Sequence, residues 1–180
     1  KTFLVSIIHG NNEIGTIQNI EQIGRLCKER GVLFHTDACQ SFTKVPINVN
    51  KMNISLMTLN AHKIHGPKGV GALYVKENVK IVPLLHGGGQ ERGRRSGTEN
   101  VAGLTGFGKA VEMVNQKDID NMTKLRDKLI DELLKIEGVK LNGSMENRLC
   151  NNVNVSFKDV EGETLLGYLQ NEGIYCSAGS

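Results

Sequence analysis

Apolar positions along the chain recur with two periods. Phe3 to Ile8, Val32 to Thr36, Ile54 to Leu59 and Val70 to Val75 are short apolar runs bounded by Gly, Asn or Asp, and each predicts a strand. The run at 54–59 suits a strand covered on both faces. Between the first two runs, Ile20, Ile23, Leu26 and Cys27 recur at helical spacing. Asn19 supplies an N-cap with Gln22 three residues on, and Gly31 a stop, so the pattern predicts a helix over 20–30 that buries Cys27. Strand, helix and strand at this spacing form a right-handed βαβ unit, which predicts a mostly parallel sheet with its loops gathered on one edge.

Further along, Leu104, Phe107, Gly108, Val111 and Val114 predict one helix, and Met122, Leu125, Leu129, Leu133 and Ile136 a second. Val139 to Leu141 reads as a strand. Val153, Val155 and Phe157 alternate with Asn152, Asn154 and Ser156 as a half-covered strand, and 161–172 reads as a helix with Leu165, Leu166 and Leu169 inward. The polar stretch Gln116-Lys117-Asp118 is the expected boundary. The strands and helices after residue 117 then read as a small α+β unit, set apart from the α/β unit of 1–116.

The polar chemistry clusters where strands end. The first strand empties into His9-Gly10-Asn11-Asn12-Glu13-Ile14-Gly15, the second into Asp37-Ala38-Cys39-Gln40, and the third into Asn60-Ala61-His62-Lys63-Ile64-His65-Gly66-Pro67-Lys68-Gly69. In open α/β sheets ligands collect at the carboxyl ends of strands, so Asn12, Asp37 and Lys63 can face one crevice. A lysine partly desolvated there can attack a carbonyl; elsewhere it is one solvated loop lysine among many. Asp37 can equally cap its own turn, and Asn11 and Asn12 can be turn residues. The stretch His86-Gly87-Gly88-Gly89-Gln90-Glu91-Arg92-Gly93-Arg94-Arg95-Ser96-Gly97-Thr98 combines glycines, three arginines and a hydroxyl suited to phosphate, with Thr98 also a candidate helix N-cap.

Composition narrows the classes. With 39% hydrophobic and 23% charged residues, the 180-residue chain is that of a soluble globular protein, and its net charge of +3 implies no general attraction to nucleic acid. Apolar runs are too short to cross a bilayer, which suggests no membrane partner and a cytoplasmic location. The four cysteines (Cys27, Cys39, Cys150, Cys176) lack CxxC spacing and read as free thiols. Both ends read as cut, one entering directly on a core strand and the other stopping in a small-residue loop.

A carboxylate at one strand end and a lysine at another, with amides and phosphate donors nearby, match the needs of pyridoxal phosphate. Lys63 would carry the cofactor, Asp37 would keep its pyridine nitrogen protonated, and His62 and Thr98 would hold its phosphate. The same blocks, His9 to Gly15, His35-Thr36-Asp37-Ala38-Cys39-Gln40, Ala61 to Gly69 and His86 through Thr98, resemble the cysteine desulfurases, pyridoxal phosphate enzymes of the class V aminotransferase group. The resemblance covers essentially the whole chain. It implies part of the large mostly parallel-sheet domain of a fold type I enzyme, followed by part of the small domain. It implies Lys63 as the cofactor lysine and catalytic residue, Asp37 at the ring nitrogen, Asn12 and Gln40 near the phenolic oxygen, Asn60 and His62 at the phosphate, and Thr98 at the phosphate of the other subunit of a homodimer.

The implied reaction converts L-cysteine to L-alanine, an enzyme thiolate taking the sulfur as a persulfide that passes to an iron–sulfur scaffold or another acceptor protein. Two departures stand out. The family usually has a hydroxyl residue where Asn60 stands, although an amide can still donate to phosphate. The family pattern Ser-x-Gly-Ser-Ala-Cys matches Ser177-Ala178-Gly179-Ser180, which places the sulfur-accepting cysteine two residues past Ser180. The N-terminal part with the histidine that stacks on the ring, and the C-terminal substrate arginine, are absent as well, so the fragment alone is expected to be inactive. Alternatives are another class V lyase or aminotransferase, or a non-catalytic phosphate- or RNA-binding module using Arg92, Arg94 and Arg95. The 4% aromatic content opposes the RNA reading. A metal at His62 and His65 would lack carboxylate or cysteine ligands, so no metal is expected.

Overall fold

A computed structural model describes residues 1–178. β1 (Leu4–Ile8), α1 (Ile20–Glu29) and β2 (Leu33–Asp37) form the expected βαβ unit, and β3 (Leu56–Asn60) joins β2 in parallel. A single 3-10 turn (His62–Ile64) then leads into β4 (Gly71–Val75), which pairs antiparallel with β3 and completes the sheet order β1-β2-β3-β4.

Local chemistry accounts for α1. The Asn19 side chain accepts from the Gln22 amide at 3.1 Å, and its own amide reaches Gln22 Oε1 at 3.5 Å, closing the N-terminus reciprocally. The helix lays Ile20 and Cys27 on the sheet, where they meet Phe34, Ala38, Ile54 and Met57 in one core. Its approach to the 49–54 turn is so close that a Cβ on Gly24 would lie 1.9 Å from the Met52 carbonyl oxygen.

Beyond the sheet come a short turn, α2 (Gln90–Gly93), whose Glu91 and Arg92 are left-handed, and then α3 (Val101–Met113) and α4 (Gln116–Leu133). Asn100, not Thr98, is the N-cap of α3, accepting from the Gly103 amide at 3.0 Å. An amide two residues on competes for the same role, and only one of them can sit at the helix mouth. α3 and α4 are separated where Val114 turns extended and Asn115 caps Asp118, the place where the sequence breaks polarity. Last come β5 (Val139–Leu141) and β6 (Val155–Phe157), an antiparallel pair forming its own sheet, and α5 (Gly162–Asn171).

The sheet differs from expectation in its covering. Alternation along β2 buries Phe34 and Thr36 beneath α1 and turns Leu33 and His35 to the opposite face, where Leu33 is exposed. β3 buries only Met57 fully, so it is not covered on both faces, and Leu73 of β4 is 49% exposed. Phe3 lies outside β1 at 76% exposure. Apolar runs report that a strand can be buried, not which segment buries it.

Candidate functional site

Register fixes where the loops leave the sheet. Ile8 pairs with Asp37 and Asp37 with Thr58, so β1 and β2 end level with one another and β3 runs two residues further, to Asn60. The His9 amide continues the ladder by donating to the Asp37 carbonyl at 2.8 Å, and the Ala38 amide donates to the Thr58 carbonyl at 3.0 Å. The three loops read from the sequence therefore share one edge.

Asp37 is half-buried, and its Oδ1 accepts from the Cys39 amide at 2.9 Å, the turn-capping bond that its sequence position allowed. The Cys39 thiol lies within hydrogen-bonding reach of both Asp37 and Asn60. Burial first, then the Asp37 carboxylate, push this thiol up to about 12, so it is not a thiolate near neutral pH. Asn60 closes the other side, its Oδ1 accepting from the Lys63 amide at 3.3 Å and so capping the 3-10 turn.

Within that turn, Ile64 is buried while His62 and Lys63 are exposed. Lys63 is thus not desolvated by these residues, contrary to the expectation of a partly buried lysine. Packing explains the direction: Ile64 is drawn into a cluster with Ala61, Val70, Phe107 and Ala110, leaving the two preceding side chains to face outward. Small residues on α3 let this loop press close, since a Cβ on Gly106 would lie 2.6 Å from the Pro67 ring. Phe42 meets Phe107 edge-on, with centroids 6.2 Å apart.

Lys44 is the residue that sequence reasoning missed here. Its ammonium donates to the carbonyls of Gln40 and Lys63, each at 3.2 Å, tying the second loop to the third. Burial lowers its proton affinity; Cys150 opposes this, and the neighbouring Lys63 charge adds a smaller lowering effect. A cleft of about 620 Å³ opens beside this pair, lined also by Ile64, Met113, Asp118 and Met122.

The structure therefore brings Asp37, Gln40, Asn60 and Lys63 into one bonded cluster, with His62 beside it. Asn12 leaves the same edge and is exposed. Thr98 is not joined to them: it is exposed at the end of the 82–98 segment and bonds to none of the other candidates. Among the described residues, no group of three His, Cys, Asp or Glu side chains could hold a metal ion, and no helix is long and apolar enough to cross a membrane. The last two residues of Ser177-Ala178-Gly179-Ser180 lie outside the described residues.

The fold is thus an α/β sheet that carries a carboxylate and a lysine on adjacent strand-end loops. The aminotransferase class V model matches residues 1–180, and the chain belongs to that family. It is 54% identical to a cysteine desulfurase IscS of Methanosarcina thermophila, over 99% of this chain and 45% of that protein. It is 50% identical to another from Dictyoglomus turgidum, over 99% of this chain and 46% of that one. Among solved structures, a NifS-like protein superposes with a TM-score of 0.90 at 43% identity, covering 99% of this chain and 50% of that one. A second, described as SspA in complex with cysteine, gives 0.83 at 42% identity, covering 99% and 50%. The chain spans about half the length of the curated relatives it matches.

Buried in the first loop, His9 is 3% exposed and its Nδ1 has no hydrogen-bond partner. Burial pushes its imidazole down to about 4 from an ordinary 6.5. An unfolded His9 takes up a proton as pH falls through 6.5, whereas the folded one resists until about 4, so stability is full above 6.5 and declines between these values. The loss attributable to His9 is on the order of 3 kcal/mol by pH 4. Urea unfolding at pH 7 and pH 4.5 should show His9→Gln losing about 2 kcal/mol less on acidification than wild type. Equal losses in the two proteins would mean that His9 is not the buried neutral group.

Proposed function

We propose that the chain is part of a pyridoxal phosphate-dependent cysteine desulfurase that converts L-cysteine to L-alanine and passes the sulfur, as a persulfide on an enzyme cysteine, to an iron–sulfur scaffold or other acceptor protein. The observation that carries the reading is the bonded cluster in which Asp37 and Lys63 share one sheet edge, linked through Cys39, Asn60 and Lys44. Its donor set fits the cofactor. The Asp37 carboxylate, anchored through Oδ1, can face a ring nitrogen with its second oxygen. Asn12 and Gln40 offer amides for a phenolic oxygen, and Asn60 and His62 offer donors for a phosphate. When bound, the cofactor supplies an electron sink for carbanion chemistry at the substrate α-carbon.

The Asp37 carboxylate would maintain that sink by accepting a hydrogen bond from the ring nitrogen. Lys63, exposed on a loop braced by Lys44, would anchor the cofactor and could carry a proton at its Nζ. None of Cys27, Cys39 or Cys150 suits the sulfur-accepting role, because burial raises each thiol and a nucleophile must ionise. The family pattern that Ser177-Ala178-Gly179-Ser180 resembles implies that the accepting thiol is not the exposed Cys176 but follows Ser180. Residues 1–116 belong to the large domain and 117–180 to the small one, in a cytoplasmic enzyme.

The full-length protein should form alanine from L-cysteine and lose that activity in Lys63→Ala. Borohydride reduction followed by peptide mapping should place the cofactor on Lys63. Cofactor found on Lys44, the desolvated amine next door, or on Lys68 would overturn the assignment.

Thr98 is proposed to serve the cofactor phosphate of a partner subunit in a homodimer. Support comes from its exposure and its separation from the cluster, and from Val82 and Leu84 standing 89% and 91% exposed on the same segment, as interface residues do. Thr98→Ala should weaken cofactor retention by roughly 1 to 3 kcal/mol. In heterodimers of Thr98→Ala with Lys63→Ala chains, the only lysine-bearing site receives an intact Thr98 from its partner, so it should retain cofactor like wild type. Retention matching the Thr98→Ala homodimer would show that the threonine serves its own subunit.

A further inference from the structure

The loop that carries Asn12 is held from a distance of about 140 residues along the chain, by side chains for which the proposed chemistry has no use. Inside the loop, Asn11 does the folding. Its Oδ1 accepts from the Glu13 and Ile14 amides, both at 2.9 Å, and its own amide donates to the Thr16 carbonyl at 2.9 Å. This arrangement leaves the Asn12 side chain exposed and presents the Glu13 carbonyl to the 142–154 segment. There it accepts twice, from Asn152 Nδ2 at 2.7 Å and from Asn154 Nδ2 at 3.2 Å, while the Asn12 carbonyl accepts from Asn152 Nδ2 at 3.5 Å.

Both amides are fixed in orientation from behind. Asn152 Oδ1 accepts from Arg148 Nη1 at 3.0 Å, and Asn154 Oδ1 accepts from Asn142 Nδ2 at 2.8 Å, so each NH2 group is forced toward the loop. Arg148 is itself 4% exposed. It donates to the Ser144 carbonyl at 2.8 Å and to the Asn142 carbonyl, and among the described residues it has no carboxylate partner. A buried cation satisfied only by carbonyls and an amide is costly to place, and here it makes the segment rigid behind the contact. Main-chain bonds fasten the rest: Leu149 N–H to the Gly15 carbonyl at 2.9 Å, and Ile17 N–H to the Asn147 carbonyl at 2.7 Å. Gly15, at φ +71°, passes so near that a Cβ would lie 2.4 Å from Asn152 Oδ1.

From this geometry we propose that Asn152 and Asn154 are positioning residues that aim the Asn12 side chain at the cofactor by gripping the Glu13 carbonyl. The proposal rests on the reading of Asn12 as a cofactor contact. It makes the 142–154 segment part of the machinery that tunes the site, although none of its residues reaches the cofactor. Any shift of that segment is transmitted to Asn12 through the shared carbonyl.

The test uses the full-length protein loaded with pyridoxal phosphate and follows the pH midpoint of its visible absorption. An amide donating to the phenolic oxygen favours its ionised form, so Asn12→Ala should raise the midpoint. Asn152→Ala/Asn154→Ala should raise it as well, by roughly half a unit or more, and the triple variant should match Asn12→Ala alone because the two amides act through Asn12. Asn152→Asp, nearly isosteric but without the donor, should move the midpoint in the same direction if the double variant folds poorly. The proposal is overturned if the double variant melts earlier yet keeps the wild-type midpoint, or if the triple variant shows the sum of the two shifts. An unmoved midpoint in Asn12→Ala would also overturn it. A wild-type protein that takes up no cofactor would instead refute the functional reading beneath it.

Discussion

Parallel register is the constraint on which the rest of the structure depends. Ile8, Asp37 and Thr58 are matched across the ladder, so β1, β2 and β3 leave the sheet at one edge, and a slip of one residue would turn Asp37 to the face covered by α1. Parallel strands must all discharge their loops at the same edge, so side chains far apart in sequence meet there without any contact designed to bring them together. The antiparallel return to β4 is equally important. The 61–70 loop, begun by a 3-10 turn, brings the chain back antiparallel along β3, which holds the lysine loop at the edge.

What the ladder brings near, polar bonds then fix. Lys44 spans two loops with one ammonium, Asn60 caps the turn that carries Lys63, and the Asp37 carboxylate is set by the amide of Cys39. Each of these bonds uses a backbone partner, which constrains the loop more than a bond between two mobile side chains would. The small residues of α3 complete the support by letting the 61–70 loop settle on the helix with its apolar side chains inward. Exposure of Lys63 follows from the same packing, since a turn that buries Ile64 must show its preceding residue to the cleft.

Legibility in the sequence followed the range of the interaction. The cap of α1 was readable because Asn19 and Gln22 are three residues apart, and the strand ends were readable because apolar runs stop abruptly at Gly, Asn and Asp. Asn12, Asp37 and Lys63 could be grouped from that alone, given the parallel topology, whereas Gln40 and Asn60 entered only through the family resemblance. Lys44 could not, because its partners are main-chain carbonyls and one of them lies 19 residues away. The grip of Asn152 and Asn154 on the first loop was hidden for the same reason: alternation marked them only as the outer face of a strand. Thr98 was offered as a cap on residue type, but position decides between competing caps, and Asn100 occupies the helix mouth. The open face of the sheet was not readable either, since hydrophobicity gives a demand for cover without naming its source.

The central claim is that the shared edge seats a pyridine ring with its nitrogen against Asp37. It is tested most directly by the nitrogen-15 chemical shift of ring-labelled pyridoxal phosphate bound to the full-length protein. The account predicts the shift of a protonated ring nitrogen in the wild type and of a neutral one in Asp37→Ala, with the cofactor still bound. A neutral nitrogen in the wild type, or a protonated one that survives loss of the carboxylate, would contradict it.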